Sequence, residues 1–446
     1  MRLTETLSRF VSTATPSLQS NRLLLETIAD CFGCMLAGAD SDVVARVSQG
    51  IEHLSRGDVV VYGRDITCSP GHAAMLNAIS GHAYELDDWE EKGNTHPTVV
   101  ILPALLAGAH LNSVPGEKLY EAYLKGFEVI TRLGEAMTLD HYARGFHATA
   151  TLGALGATAA VCVLLDLKER QVANALALAA SQACGYTAQF GTDAKALHAG
   201  FAARTGVECA VLASKGVTAN LASIDSDRGM VGLLGNLSSD RVEDVICKVG
   251  NPYAFDEQGI VIKPWPSCGY AHRLMTAALD LRQRIGANTD NIVSIRATQP
   301  DFHSAILAFD EPRNRTEALF SGPACIAQTL VTGDMSVADG AREFWKEPDV
   351  ARLIPLTEMV AEPTKNPSIN YDPQQPDTLQ IVMKDGQEFL EACVYPLGSP
   401  HNRLNQAQLA DKFSLATGRG VEEFSGLMRW PKASDIASFF EKAARR

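Results

Sequence analysis

Apolar positions recur at helical spacing up to about residue 265, and the period changes after that. Leu24, Ile28, Phe32 and Met35 form one amphipathic stripe, stopped near Gly38. Ser69-Pro70 is a start signal, with Ser at the N-cap and Pro at the first helical position, and Ala73, Leu76, Ile79, Ala83 and Leu86 continue on one face. A third helix is predicted from Thr98 to His110. Two uncharged stretches, Ala148 to Leu165 and Ala173 to Thr192, supply two more, and Leu197, Phe201, Thr205, Cys209 and Leu212, closed by Gly216, a sixth. The uncharged stretches are long enough to span a bilayer. Their content of Ala, Gly, Thr, Ser, Asn and Gln, in place of Leu, Ile and Phe, suits close-packed interior helices instead.

Residues 291–298 read as a short strand. DTLQIVMKDGQEFLEACVYP reads as a hairpin around Asp385-Gly386, a turn that favours positive φ at both central residues. Helical patterning returns in 320–332, 404–417 and 433–444. The predicted fold is therefore mainly α: a large all-helical domain (1–267), a smaller α+β lid domain (268–396), and a return to the helical domain (397–446).

At about 150 residues per domain, 446 residues accommodate two or three domains. The net charge of -13, with no Lys/Arg run longer than two, argues against nucleic-acid or anionic-membrane partners. Ten cysteines lie scattered from Cys31 to Cys393 without a disulfide framework, so a cytoplasmic location is expected. Cys31-x-x-Cys34 falls within a helical stripe, with no second Cys/His pair at zinc-site distance, and reads as two buried thiols. The segment MRLTETLSRFVSTATPS lacks an apolar core, so no secretory signal is expected.

Two segments break local rules. In GHAYELDDWEEKGNTHP, Asp87 and Asp88 fall at the predicted C-terminal end of the helix begun at Ser69, where the macrodipole disfavours carboxylates. His96 follows immediately before Pro97, at a helix mouth whose backbone N–H groups suit an anion. The plainer alternative is a solvated acidic helix end and an ordinary capping histidine. In GTDAKALHAG, Thr192 or Asp193 caps a helix whose first turn holds Lys195, with His198 one turn on. A cation there opposes the dipole unless an anion binds, the alternative being a surface lysine and a core-edge histidine. Lys263 and His272 flank a Pro-rich hinge, and His147 enters an uncharged helix, where a satisfied core histidine is the competing reading. Zinc, phosphate-loop, dinucleotide and G-x-S-x-G motifs are absent from the sequence, which predicts chemistry without cofactor or metal.

GHAYELDDWEEKGNTHPTVVILPALLA resembles the signature of the MmgE/PrpD family. The resemblance continues in order through RGFHATATLGALGATAA, GTDAKALHAGFAARTG, VIKPWPSCGYAH, LFSGPACIAQTLVTGDM and YPLGSPHNRLNQAQLADKF. It implies a helical domain with an α+β lid, a homodimer, no cofactor, and a di- or tricarboxylate substrate held between the domains. Carried over by position, it implies His96, Lys195 and His147 as catalytic residues, and Asp87, Asp88, His198, Lys263 and Cys268 as substrate-binding residues. Glu85, Cys268 and Pro323 depart from the decarboxylase and dehydratase branches. The branch most similar overall epimerises iminodisuccinate at the carbon α to a carboxylate, so the expected enzyme is a cofactor-independent isomerase. A dehydratase or decarboxylase of a 2-methylcitrate or cis-aconitate type acid is the alternative, and an inactive carboxylate-binding or scaffold homologue the alternative of another class.

Overall fold

The computed structural model describes residues 2–15, 22–235, 238–286 and 288–445. Residues 1 and 446, the ends of the predicted helical domain, and residues 16 and 17 of the quoted N-terminal segment lie outside the described residues. Contacts divide the chain into one unit of Met1–Ala83, Asp87–Ile260 and Leu409–Arg446, and a second of Tyr84–Leu86 with Val261–Gln408.

The first unit is built on α1 (Leu3–Thr13), α2 (Arg22–Gly38), α3 (Asp42–Ile51), α4 (Pro70–His82), α5 (Pro97–Ala109), α6 (Gly116–Met137), α7 (Ala148–Leu164), α8 (Glu169–Ala180) and α9 (Asp193–Ser214). Small residues decide how its centre packs. α7 is buried along its whole length. α9 approaches α4 and α7 so closely that a Cβ on Gly200 would lie 2.7 Å from Ile79 Cγ1, and one on Gly206 2.6 Å from Ala157 Cβ. Among the described residues no helix is long and apolar enough to cross a membrane.

Several details differ from the sequence expectations. α4 ends at His82, not near Leu86, because the chain turns away and Glu85 adopts a left-handed φ of +55°. The stretch predicted to be helical from Ala173 to Thr192 is helical only to Ala180, within a helix that begins at Glu169. On α9 the apolar stripe is buried only at Thr205 and Cys209. Phe201 and Leu212 are 40% and 47% exposed, while Ala199, Ala202, Ala203 and Ala210 face inward, since only small side chains fit between the crowded helices. A short antiparallel pair, β1 (Val59–Val60) with β2 (Thr67–Cys68), also interrupts the helices.

α6 escaped the pattern because it buries charge. Arg132, fully buried, donates through Nε to Glu128 (2.8 Å), through Nη1 to Glu135 (2.9 Å), and through Nη2 to the Pro252 carbonyl (2.8 Å). Glu128 in turn accepts the backbone N–H groups of Gly250 (2.8 Å) and Ala254 (2.6 Å), which ties that loop to the helix. Removing one partner of such a network strands the others without solvent. Arg132→Ala is expected to cost about 3–5 kcal/mol in denaturant unfolding; a loss below about 1 kcal/mol would mean that the network is decorative.

The second unit carries a four-stranded sheet in the order β4 (Thr357–Glu362), β3 (Ile292–Pro300), β5 (Asp377–Met383), β6 (Glu388–Cys393). β3 runs parallel to β4, with Ile295 opposite Thr357, and antiparallel to β5, with Ile295 opposite Ile381. α10 (His272–Arg284) packs on β5 and β6 and against α11 (Gly322–Thr332). In the β5–β6 hairpin only Gly386 has positive φ (+84°), and its N–H bonds to the Met383 carbonyl. Four residues join the strands, so a left-handed glycine after an ordinary turn replaces the two-residue turn expected. The Ile262 N–H bonds to the Gly398 carbonyl near the two ends of this segment, and α12 (Gln406–Thr417) leads back to α13 (Ile436–Ala444) in the first unit.

Candidate functional site

Three helix N-termini and one C-terminus bring a cluster of ionisable groups together within the first unit. His96 is the N-cap of α5 and His147 the N-cap of α7, while Lys195 sits in the first turn of α9 and His198 in its second. Thr192 caps α9 by accepting the Ala194 N–H. His82 is the last residue of α4. The positive ends of three helix dipoles thus face a site that also holds a buried lysine.

Asp87 organises one half. Its Oδ2 accepts from His82 Nδ1 at 2.9 Å and lies 3.1 Å from His96 Nδ1, which also approaches the Asp88 carbonyl at 2.9 Å. Burial would raise the Asp87 carboxyl, but the two imidazoles beside it more than reverse this and hold it well below the usual range. Because Nδ1 donates on both rings, each neutral imidazole keeps its lone pair on Nε2. His82 presents that nitrogen to Lys195 Nζ, 3.0 Å away, and the ammonium also stands 5.4 Å over the Phe190 ring.

The other half is a neutral histidine pair, with His147 Nδ1 and His198 Nδ1 2.9 Å apart. Burial, then the charge on Lys195, lowers His147 well below its ordinary value and His198 to about 4. Asp88 is the converse case. Burial, with Asp87 and Asp30 nearby, pushes its carboxyl well above the usual range, although its Oδ1 accepts the Thr98 N–H at 3.3 Å. The mouth of α5 therefore already holds an acid group of the chain itself, which corrects the expectation of open N–H groups there. It also corrects the reasoning about Asp87 and Asp88: they lie beyond the end of α4, and Asp88 serves the start of the next helix.

Glu90 braces the loop that delivers His96. It pairs with Thr95 through backbone bonds and accepts from Thr95 Oγ1 at 2.9 Å, and burial raises its carboxyl to about 7. A folded-state value above the unfolded one means that its stabilisation is complete below about pH 4.5 and is lost as pH rises through 7. Glu90→Gln, a mimic of the protonated acid, is expected to match the parent near pH 4.5 and to exceed it above pH 7 by on the order of 2–3 kcal/mol. Equal stability of the two proteins at pH 8 would refute this.

The structure therefore gathers Asp87, Asp88, His96, His147, Lys195 and His198. Lys263 and Cys268 belong to the second unit. Lys263, also buried, donates to the Glu85 carbonyl at 3.0 Å and lies 3.6 Å from Glu85 Oε2, while the Cys268 N–H bonds to the Leu319 carbonyl at 2.8 Å. Pro323 occupies the first turn of α11. All ten cysteines are free thiols, and Cys31 and Cys34 are buried, as expected.

The sequence reading missed His82. The segment GHAYELDD contains it, but the stripe Ala73–Leu76–Ile79–Ala83 drew attention to one face, whereas α4 is buried on every side from Ala73 to His82. His82, Asp87 and His96 bring one donor atom each within 4.8 Å, a grouping of metal-ligand types where no metal motif was foreseen. At 2.9 and 3.1 Å from Asp87, both imidazoles are within N–H···O distance of it.

Residues 5–240 match the MmgE/PrpD N-terminal domain, and residues 265–424 match the MmgE/PrpD C-terminal domain. Across 89% of its length the chain is 28% identical to cis-aconitate decarboxylase of Mus musculus, covering 81% of that protein. Identity to the Homo sapiens cis-aconitate decarboxylase is also 28%, over 89% of this chain and 82% of the relative. The Aspergillus terreus cis-aconitate decarboxylase is 25% identical over 89% of this chain and 84% of its own.

Proposed function

The chain belongs to the MmgE/PrpD family, and from that premise we propose that it is an epimerase that removes the proton α to a carboxylate of iminodisuccinate and returns one on the opposite face. The observation that carries this reading is the pairing of two acid/base groups in one buried site: Lys195 and His96, each in contact with His82. Inversion needs one group to take a proton and a second to deliver one, each worth typically 10²- to 10⁴-fold. A substrate with several carboxylates is favoured by Lys195 and the N-termini of α7 and α9, and the same positive field stabilises the charge that spreads onto the carboxylate when the C–H bond breaks. His147 and His198, both neutral, add hydrogen bonding without further charge. Asp87 aims His82 and His96 and carries no proton of its own.

A second reading, decarboxylation of a cis-aconitate type acid, is favoured by the relatives named above. Loss of CO₂ leaves a similar carbanion but needs only one proton donor. The test is incubation with a single stereoisomer of iminodisuccinate, and separately with cis-aconitate. Growth of the other stereoisomer without gas release supports epimerisation. Release of CO₂ from cis-aconitate alone moves the assignment to the lyase, and no turnover of any polycarboxylate leaves only a binding protein.

A further inference from the structure

We propose that His82 is a positioning residue that completes an Asp87–His82–Lys195 proton relay, letting Lys195 alternate between acid and base. The proposal rests on the reading of Lys195 as an acid/base group and deepens it.

The geometry is a carboxylate, an imidazole and an amine in line, at 2.9 Å and 3.0 Å, with the side chains of His82 and Asp87 wholly shielded from solvent. The carboxylate can only accept, so Nδ1 carries the proton on that side and Nε2 faces Nζ with its lone pair. The proton between Nε2 and Nζ then has two homes. On Nζ it makes an ammonium beside a neutral imidazole. On Nε2 it makes a neutral amine beside an imidazolium, whose charge Asp87 balances. The organisation is that of a nucleophile–histidine–aspartate triad with an amine in the first place.

The step balances as written. The Nζ–H bond breaks and an Nε2–H bond forms, and the amine lone pair is then available for the substrate's α proton. The electron pair of the broken C–H bond stays with the substrate. Delivery of a proton from Nζ runs the sequence backwards, with His82 resupplying the amine.

The other titratable groups around His82 do not compete for this proton. His96, in edge contact with His82, gives its Nδ1 to the same Asp87 oxygen, and His147 and His198 are kept neutral by burial and by Lys195. Burial pushes the Asp88 carboxyl well above the usual range. Behind Asp87, Asp30 is committed to Lys412 at 2.6 Å, and burial pushes the Cys31 and Cys34 thiols well up.

His82→Gln separates holding from relaying, because the amide can donate and accept but cannot carry the extra proton. The relay predicts a folded variant with KM little changed, kcat reduced by about 10²-fold, and activity that recovers as pH rises and bulk base deprotonates Nζ. Lys195→Ala, run beside it, should not recover at any pH. A His82→Gln variant with the parent's kcat and pH profile, or with a lowered kcat and an unchanged profile, overturns the relay. Near-normal turnover by Lys195→Ala would instead overturn the assignment of Lys195 itself. Should His82→Gln fail to fold, the parent enzyme decides through turnover in mixtures of H₂O and D₂O: a bowed dependence, from two protons moving together, supports the relay, and a straight line overturns it.

Discussion

Lys195→Ala is expected to lose about 10³-fold or more in turnover while remaining folded. Removing one preorganised donor to developing negative charge typically costs 10²- to 10³-fold, and removing an acid/base group a comparable factor. Folding should survive because the lysine is locally unfavourable: it is a buried cation in the first turn of α9, against the helix dipole. Alanine suits that position and leaves the Thr192 cap intact. Steady-state turnover with a thermal melt checks both halves. Turnover within tenfold of the parent would remove Lys195 from the chemistry, and a collapsed melt would make it structural.

Asp87→Asn is expected to reduce turnover by roughly 10³- to 10⁴-fold, through lost orientation of His82 and His96 and lost balance of the His82 charge, on the pattern of triad aspartates. Asp87 Oδ2 serves the Nδ1 of both His82 and His96. An asparagine can accept with its oxygen, but its amide nitrogen donates. Both rings bond the same oxygen, so the amide either keeps an oxygen there without the carboxylate's charge or turns its NH2 to both rings, which forces their protons to Nε2 and removes the lone pair that faces Lys195. Since Asp87 supports the relay, the weakened variant, like His82→Gln, should regain activity as pH rises. A lowered turnover with an unchanged pH–rate profile would take Asp87 out of the relay.

The parts of the site that were legible in the sequence are those where a residue contradicts its local setting. Lys195 opposes a helix dipole, and His96 stands at the mouth of an uncharged helix. Asp87 and Asp88 were found for a reason that does not hold, since α4 ends five residues before Asp87. A helix end set by the backbone at Glu85 leaves no signal in hydrophobic spacing. His82 was hidden because a helix buried on all sides has no polar face against which one histidine stands out. α6 was hidden for the opposite reason, as its interior side carries Glu128 and Arg132, which pair with each other and are satisfied in full only with the loop at 250–257. Strand β4 is parallel to β3 and distant from it in sequence, so no hairpin turn announces it.

The central claim, reversible removal of a proton next to a carboxylate, is tested most directly by incubating the enzyme with iminodisuccinate in D₂O and following the α protons by NMR. The account predicts that deuterium enters the α position as the stereoisomers interconvert, with no alkene and no CO₂ formed. Interconversion without deuterium incorporation, or product formation by loss of water or CO₂ from the same substrate, would contradict it.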